Sequence, residues 1–244
     1  MRAISPAELL DVWETGLARS PVERALRLLA VACTDATPEQ LAKLSIGRRD
    51  GRLLELRVKL FGPTLVSLAT CPTCGEKSEL QFSAADITPG PSPAPDDVLT
   101  EVAADHEVRF RLPNSLDLLQ LVADEDPALK RRRLLGQCLQ AARRGGQEIP
   151  VEQLPPEVMK RVVERMALAD PQADVQLALT CTHCAHQWQA PFDIVTFMWT
   201  EIHTWAVRLL QEVHALASAY GWSEADILAL SPWRRRTYLE LGAT

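Results

Sequence analysis

Two cysteine pairs are the residues of this sequence best suited to chemistry. Cys71 and Cys74 form one Cys-x-x-Cys motif, and Cys181 and Cys184 form the other. This is the spacing with which protein thiolates bind zinc. One pair cannot complete a tetrahedral site, whereas two pairs brought together supply the four thiolates that saturate it. The sequence therefore predicts one structural Zn²⁺ per chain, bound by Cys71, Cys74, Cys181 and Cys184.

Other interpretations of the cysteine pairs carry less weight. Redox dithiols sit at a helix start in a βαβ unit, and these pairs follow short strands instead. A catalytic zinc needs an open coordination position, which four thiolates do not leave. His183 and His186 could compete as ligands, but the symmetric four-cysteine solution predicts that they are exposed or outside the ligand set. Cys33 and Cys138 lie within apolar helical faces and are expected to be buried free thiols.

The elements around both pairs have the same predicted form. Strands are predicted at 65–70 and 175–180, and each runs into a knuckle, the Cys-x-x-Cys turn, followed by a return strand. Phe82 and Phe192 each fall at the same distance after the first cysteine of their pair. This internal echo predicts a small zinc-ribbon-like β element built from two hairpins, with a long insertion between its halves.

The rest of the chain is predicted to be mainly helical, which makes the fold class α+β. Ser-Pro, Thr-Pro and Asp-Pro pairs predict several helix starts. The charged stretch 46–52 is predicted to be a turn, 107–112 a strand and 126–146 one helix. The longest helix is predicted to open at Phe192-Asp193 and to run to about Tyr220. Its apolar seam is Ile194, Met198, Ile202, Trp205, Leu209, Val213, Leu216 and Tyr220, as expected for packing within the chain or in a partner groove.

This pattern predicts a five-part organisation of the chain. The parts are an N-terminal helical segment (1–64), the first half of the zinc ribbon (65–88), a mainly helical insertion after a Pro-rich linker (89–174), the second half of the ribbon (175–192) and C-terminal helices (193–244).

Composition and missing motifs exclude several classes of function. The formal net charge of −6 argues against a general nucleic-acid binder, whose affinity comes largely from neutralising phosphates. No run approaches the roughly 18 apolar residues of a membrane span, and no apolar signal region opens the chain. Phosphate-cradling loops, nucleophile elbows and His-Glu-x-x-His motifs are also missing. We therefore expect a cytoplasmic protein that is not an enzyme.

The C-terminal segment 220–241 has the composition of a binding surface. Trp, Tyr and Arg are the residues enriched at interface hot spots. The predicted partner contacts are Trp222, Trp233, Arg234, Arg235 and Tyr238. The same basic cluster, which follows a short capped helix, leaves helix-turn-helix contact with DNA as an alternative, and an acidic protein partner fits it as well.

Several stretches together resemble a family encoded with contractile phage tails and tail-like injection systems. The most specific motifs are Arg-Leu-Pro-Asn-Ser at 111–115 and Tyr-Gly-Trp-Ser-Glu at 220–224, accompanied by both knuckles. That family is similar, more distantly, to the baseplate hub assembly chaperones of T-even phages. The resemblance covers nearly the whole chain and implies a cytoplasmic factor that helps to assemble a baseplate hub. It implies no catalytic residues.

The function expected from these observations is binding of a hub or spike protein during assembly of a contractile injection machine. A structural baseplate subunit that remains in the finished particle is the first alternative. A zinc-ribbon regulator that binds nucleic acid is the second.

Overall fold

Residues 1–88, 98–121 and 126–242 are described by the structure, a computed structural model. Contacts between residues divide the chain into two units. One unit comprises Met1–Thr34 together with Ile194–Thr244, and the other comprises Asp35–Asp193. Of the helices in the described ranges, none combines the length and the apolar character that crossing a bilayer requires.

The described residues form ten α-helices and eight strands, a mixed α and β fold. The helices are α1 (Pro6–Gly16), α2 (Pro21–Ala32), α3 (Pro38–Ala42), α4 (Ile46–Phe61), α5 (Ser115–Leu119), α6 (Pro127–Cys138), α7 (Pro156–Ala169), α8 (Ile194–Tyr220), α9 (Glu224–Ala229) and α10 (Pro232–Gly242). The strands are β1 (Thr64–Thr70), β2 (Lys77–Ser83), β3 (Leu99–Ala103), β4 (His106–Phe110), β5 (Leu139–Arg144), β6 (Gln147–Ile149), β7 (Val175–Thr180) and β8 (Gln187–Phe192).

Helices α1, α2, α8, α9 and α10 form the first unit. Ser5 and Ser20 cap α1 and α2, each in a reciprocal capping box, as the Ser-Pro pairs predict. The apolar seam of α8 lies in the core: Met198, Ile202 and Leu209 are buried, and α8 contacts α1, α2, α9 and α10. The seam therefore packs within the chain, which was the first of the two expectations.

The second unit contains a four-stranded antiparallel sheet in the order β3-β4-β5-β6. Its core joins Val108 and Phe110 of β4 to Ala142 of β5 and to Val162 of α7, all of them almost fully buried. This core belongs to the chain between the two cysteine pairs, so the insertion buries an apolar centre of its own.

The Arg-Leu-Pro-Asn-Ser motif holds the beginning of α4 against the beginning of α5. Asn114 caps α5 in a capping box with Asp117. Arg111 donates two hydrogen bonds of 2.6 Å to the buried Asp117 carboxylate, and Arg49 of α4 donates to the Ser115 hydroxyl at 3.3 Å. Charge-assisted, bidentate bonds of this kind are among the stronger ones in proteins. These motif residues are explained by packing within the chain.

Two predicted elements are wrong. The stretch 46–52 is the first part of α4 and not a turn. The Ser45 side chain caps the helix by accepting a hydrogen bond from the Arg48 amide, and Gly47 and Arg49 are buried. The predicted helix 126–146 ends at Cys138, and the chain continues as β5 and β6 around a turn at Gly145 and Gly146, both with positive φ. Pairing with β4 overrides the helical pattern there.

Strand β3 was not predicted. It follows the Pro-rich stretch 89–97, which lies outside the described residues. The predicted strand 107–112 and the long C-terminal helix are present as β4 and α8.

Candidate metal centre

The two cysteine pairs lie in the turns of two equivalent hairpins, β1-β2 and β7-β8. The Cys71 amide donates to the Glu76 carbonyl at 2.8 Å, and the Cys181 amide donates to the His186 carbonyl at 2.9 Å. A second bond in each knuckle runs to the cysteine carbonyl, from Gly75 and from Ala185, both at 3.0 Å. The two knuckles therefore share one backbone conformation, as their common spacing predicts.

Gly75 and Ala185 occupy the same position in the two knuckles, and both have positive φ. The values are 75° and 58°. Glycine adopts this region without steric cost, whereas the Cβ of alanine makes it unfavourable by about 1 kcal/mol or more. The second knuckle keeps the conformation despite an unfavourable residue, which indicates that the turn is held by its surroundings.

The four sulfur atoms converge. All four Sγ atoms lie within 4.8 Å of one another. Sγ of Cys71 lies 3.7 Å from that of Cys184, and Sγ of Cys74 lies 3.6 Å from that of Cys181. A tetrahedron with Zn–S bonds of about 2.3 Å has edges of about 3.8 Å. The donor set and these distances fit one tetrahedral metal ion with two ligands from each knuckle.

Backbone amides favour the thiolate form of the first cysteine in each knuckle. Burial opposes ionisation of Cys71, but hydrogen bonds from the backbone of Cys74 and Thr73 lower the pKa of its thiol to about 7. At Cys181, a hydrogen bond from the backbone of Cys184 is the largest cause of a lowered pKa. Cys71 and Cys181 are buried, whereas Cys74 and Cys184 are exposed. Each knuckle therefore presents one inner and one outer sulfur.

Aromatic residues of the two hairpins also agree with the echo in the sequence. Phe82 and Phe192 pack edge to face at the ends of β2 and β8, with ring centroids 5.6 Å apart. His186 stacks on Trp188 and His183 is exposed, and neither belongs to the four-sulfur cluster.

The two remaining cysteines do not belong to the four-sulfur cluster. Cys33 and Cys138 are buried free thiols, as predicted. Burial raises the pKa of Cys138 to about 11. The buried Cys138 thiol is therefore a poor nucleophile at neutral pH while the chain is folded.

The structure divides the predicted partner contacts into two sets. Trp233 is 75% exposed and Arg234 is exposed. Trp222 and Tyr238 pack together with centroids 4.9 Å apart, both against Tyr220, and they remain half-buried.

The structure gives Arg235, one of the predicted partner contacts, a different role. Its side chain is buried, its Nε donates to Glu212 at 3.2 Å, and its Nη1 donates to the Leu230 carbonyl at 2.8 Å. It therefore ties α10 to α8 within the chain, which is a structural role that the sequence did not indicate.

Sequence reasoning missed that Trp233 borders a groove of about 570 Å³ between α8 and α10. Trp205 and Arg208 of α8 line it together with Trp233 and Arg236 of α10. The spacing of 205 and 208 places them on one helix face, but it does not show that α10 lies beside that face.

Comparison with known proteins adds one match. No curated protein and no solved structure matches the chain. Residues 16–199, more than half of the sequence, match the family described as T4 bacteriophage base plate protein. That range contains both hairpins and all four converging cysteines. The chain is therefore a member of the T4 bacteriophage base plate protein family.

Proposed function

We propose that this chain is a non-enzymatic assembly factor, a baseplate hub assembly chaperone, which binds a hub or spike protein of a contractile injection system in the cytoplasm. Family membership carries the proposal, because it ties the chain to the baseplate. Such a chaperone would cover an apolar surface or a strand edge that its client exposes before it oligomerises, because such surfaces otherwise aggregate.

The metal in this proposal is one structural Zn²⁺ per chain. Four cysteine sulfurs at tetrahedral spacing support it, since Zn²⁺ is the usual ion of four-cysteine sites and such sites leave no position for substrate. The zinc would link two hairpins far apart in sequence, and its contribution would be to the stability of the fold.

The binding surface in this proposal is the groove between α8 and α10. Trp233 is the largest exposed apolar side chain on it, with Arg234 and Arg236 exposed beside it. A bulky aromatic ring flanked by guanidinium groups is the usual composition of a hot spot. Trp222 and Tyr238 would support this surface from the neighbouring aromatic cluster.

Co-expression with the hub and spike proteins of the same gene cluster tests the function. The parent should co-purify with one of them and raise its soluble yield. Trp233→Ala should weaken the complex, because a truncated hot spot commonly costs 2 kcal/mol or more, which is about thirtyfold in affinity. Leu168→Ala is the matched control, since Leu168 is 74% exposed on α7, outside the proposed surface. Failure of every baseplate protein to bind the parent would end the chaperone proposal.

Two rival functions give different results in the same system. Mass spectrometry should find no copy of the chain in purified particles if it acts only in assembly, and should find it there if it is a structural subunit. A nucleic-acid regulator would bind DNA or RNA more tightly as salt falls. The net charge of −6 favours weak, non-specific association only.

A further inference from the structure

The two cysteine hairpins leave strand edges open along a second groove. Each hairpin is a separate two-stranded sheet, so β2 and β7 pair only with β1 and β8 among the described strands. The groove has a volume of about 730 Å³, within the range of ligand-binding clefts. It is lined by consecutive residues of both strands, 79–82 of β2 and 174–179 along β7. Side chains alternate between the faces of a strand, so consecutive residues line one groove together only along an edge.

The register shows which backbone groups point into this groove from β2. The Ala84 amide donates to the Pro63 carbonyl at 2.9 Å, and Cys71 donates to Glu76 at the other end of the hairpin. Bonded and non-bonded pairs alternate in antiparallel strands. Glu79 and Gln81 therefore occupy non-bonded pairs, and their N–H and C=O groups point away from β1.

The same argument applies to β7. The bond from Cys181 to the His186 carbonyl fixes the alternation, which places Gln176 and Ala178 in non-bonded pairs with Pro191 and Gln189. Pro191 has no N–H, and a non-bonded position is where a strand tolerates proline. Backbone groups of Gln176 and Ala178 therefore point away from β8, into the groove.

The side chains at the groove define what would fit there. Leu80, Leu177 and Leu179 are half-buried, so the groove offers apolar surface that the chain only partly covers. The titratable residues that line it are all acidic, namely Glu79, Asp86 and Asp174. An occupant that pairs with the open edges must be extended, and one that complements the charge must be basic.

We propose that the groove between β2 and β7 binds an extended, Lys- or Arg-bearing segment of another protein as an added β-strand. Main-chain hydrogen bonds to Gln81 and Ala178 would give affinity, and the acidic side chains would select basic residues. The inference rests on the proposed function for the source of this segment, a baseplate protein before assembly. It is tested without any such protein.

The probe is a fluorescent peptide of about seven alternating Lys and Val residues, long enough to follow β2 at about 3.3 Å per residue. Fluorescence anisotropy with the full-length, zinc-loaded chain should show saturable binding. A Glu-Val peptide should bind at least tenfold more weakly. The Lys-Val peptide with alternate amides N-methylated should also bind at least tenfold more weakly, because it cannot form the full set of main-chain hydrogen bonds. Equal binding of all three peptides, or no binding of the Lys-Val peptide, would overturn the proposal.

Proline substitutions locate the binding edge. Gln81→Pro removes an N–H that points into the groove without breaking a bond to β1, and binding should fall about fivefold or more. Gln189→Pro is the matched control, because its N–H points outward from β8 on the side opposite β7, and binding should not change. Zinc content and thermal melting report whether each variant is folded. If Gln81→Pro does not fold, Glu79→Lys with Asp174→Lys tests the same edge by charge, again with an expected loss.

Two results would assign the groove to something else. If the parent dimerises in analytical ultracentrifugation and Gln81→Pro abolishes the dimer, the occupant is a second copy of this chain, and the proposed partner is wrong. If the folded Gln81→Pro and the charge-reversal variant both bind the Lys-Val peptide as the parent does, the peptide binds elsewhere. A chain that binds the peptide but no hub or spike protein would separate this inference from the proposed function.

Discussion

Gly47 lies where α4 meets the short turn Pro171–Ala173, and no larger residue fits there. Its amide donates a 2.8 Å hydrogen bond to the buried Asp170 carboxylate. A Cβ built on Gly47 would lie 2.3 Å from Asp170 Oδ1 and 2.7 Å from the Ala173 amide nitrogen. One of these neighbours is backbone, so the clash cannot be relieved by rotating a side chain alone. Gly47→Ala must move α4 away from the turn.

The expected cost is the difference between opposing terms. Forced separation in a packed site costs about 1–3 kcal/mol, and losing a hydrogen bond to a charged group costs about 1.5–3 kcal/mol. Alanine in a helix recovers up to about 1 kcal/mol relative to glycine. Gly47→Ala should therefore lower the free energy of unfolding by about 1.5–5 kcal/mol.

Gly51→Ala is the matched control on the same helix. Its Cβ would have Gln172 Cγ as nearest neighbour at 3.9 Å, an ordinary contact. The variant should be as stable as the parent or up to about 1 kcal/mol more stable. Urea unfolding of both zinc-loaded variants, followed by circular dichroism, measures the difference between two identical substitutions one helical turn apart.

A double-mutant cycle tests the cause. If the Asp170 carboxylate is the main obstacle, Gly47→Ala should cost less in an Asp170→Ala background than in the parent. Equal stability of Gly47→Ala and Gly51→Ala would refute the packing argument. If the costs of Gly47→Ala and Asp170→Ala are additive, the main obstacle to the new Cβ is the Ala173 backbone and not the Asp170 carboxylate.

Three further predictions concern the metal centre, the knuckles and pH. The chain should contain one zinc by elemental analysis, and either Cys71→Ser or Cys181→Ser should release it, because both break one tetrahedron; two zincs per chain would contradict the shared site. Because both positions have positive φ, Ala185→Gly should raise the free energy of unfolding by about 1 kcal/mol and Gly75→Ala should lower it by about as much; the melting temperatures should shift accordingly. Shifts of the opposite sign would refute the equivalence of the knuckles. Burial raises the pKa of Asp170 above its ordinary value of 3.8, so its contribution to stability is fully present below pH 3.8 and is lost as pH rises through the raised pKa. Urea midpoints should therefore fall over that pH range in the parent and not in Asp170→Asn. The same fall in both proteins would assign the effect to another group.

Local chemistry in the sequence was sufficient to predict the caps and the converging cysteines. Ser5 and Ser20 sit next to the groups they cap, so neighbouring residues determine those helix starts. The cysteine pairs required one added argument, that two incomplete ligand sets complete each other, and the four sulfurs do converge.

The errors arose where distant residues decide the structure. Residues 139–144 pair with β4, and the preceding helical pattern contains no sign of that partner. Arg235 is flanked by two exposed arginines in the sequence, yet its side chain is buried and forms an ion pair with Glu212 of α8. Strand edges were equally hidden from sequence reasoning, since periodicity predicts a strand but not whether its outer edge is paired.

The metal centre and the open strand edges belong together physically. A two-stranded hairpin is at best marginally stable in water, and the facing side chains of β7 and β8 are only half-buried. A zinc ion bound by both knuckles would supply the stability that a larger sheet or core supplies elsewhere. It would do so from the turns, at one end of the hairpins, without covering their sides. A hairpin pair stabilised in this way can leave the outer edges of β2 and β7 without a strand partner and still be folded, which is the condition that binding an added strand requires.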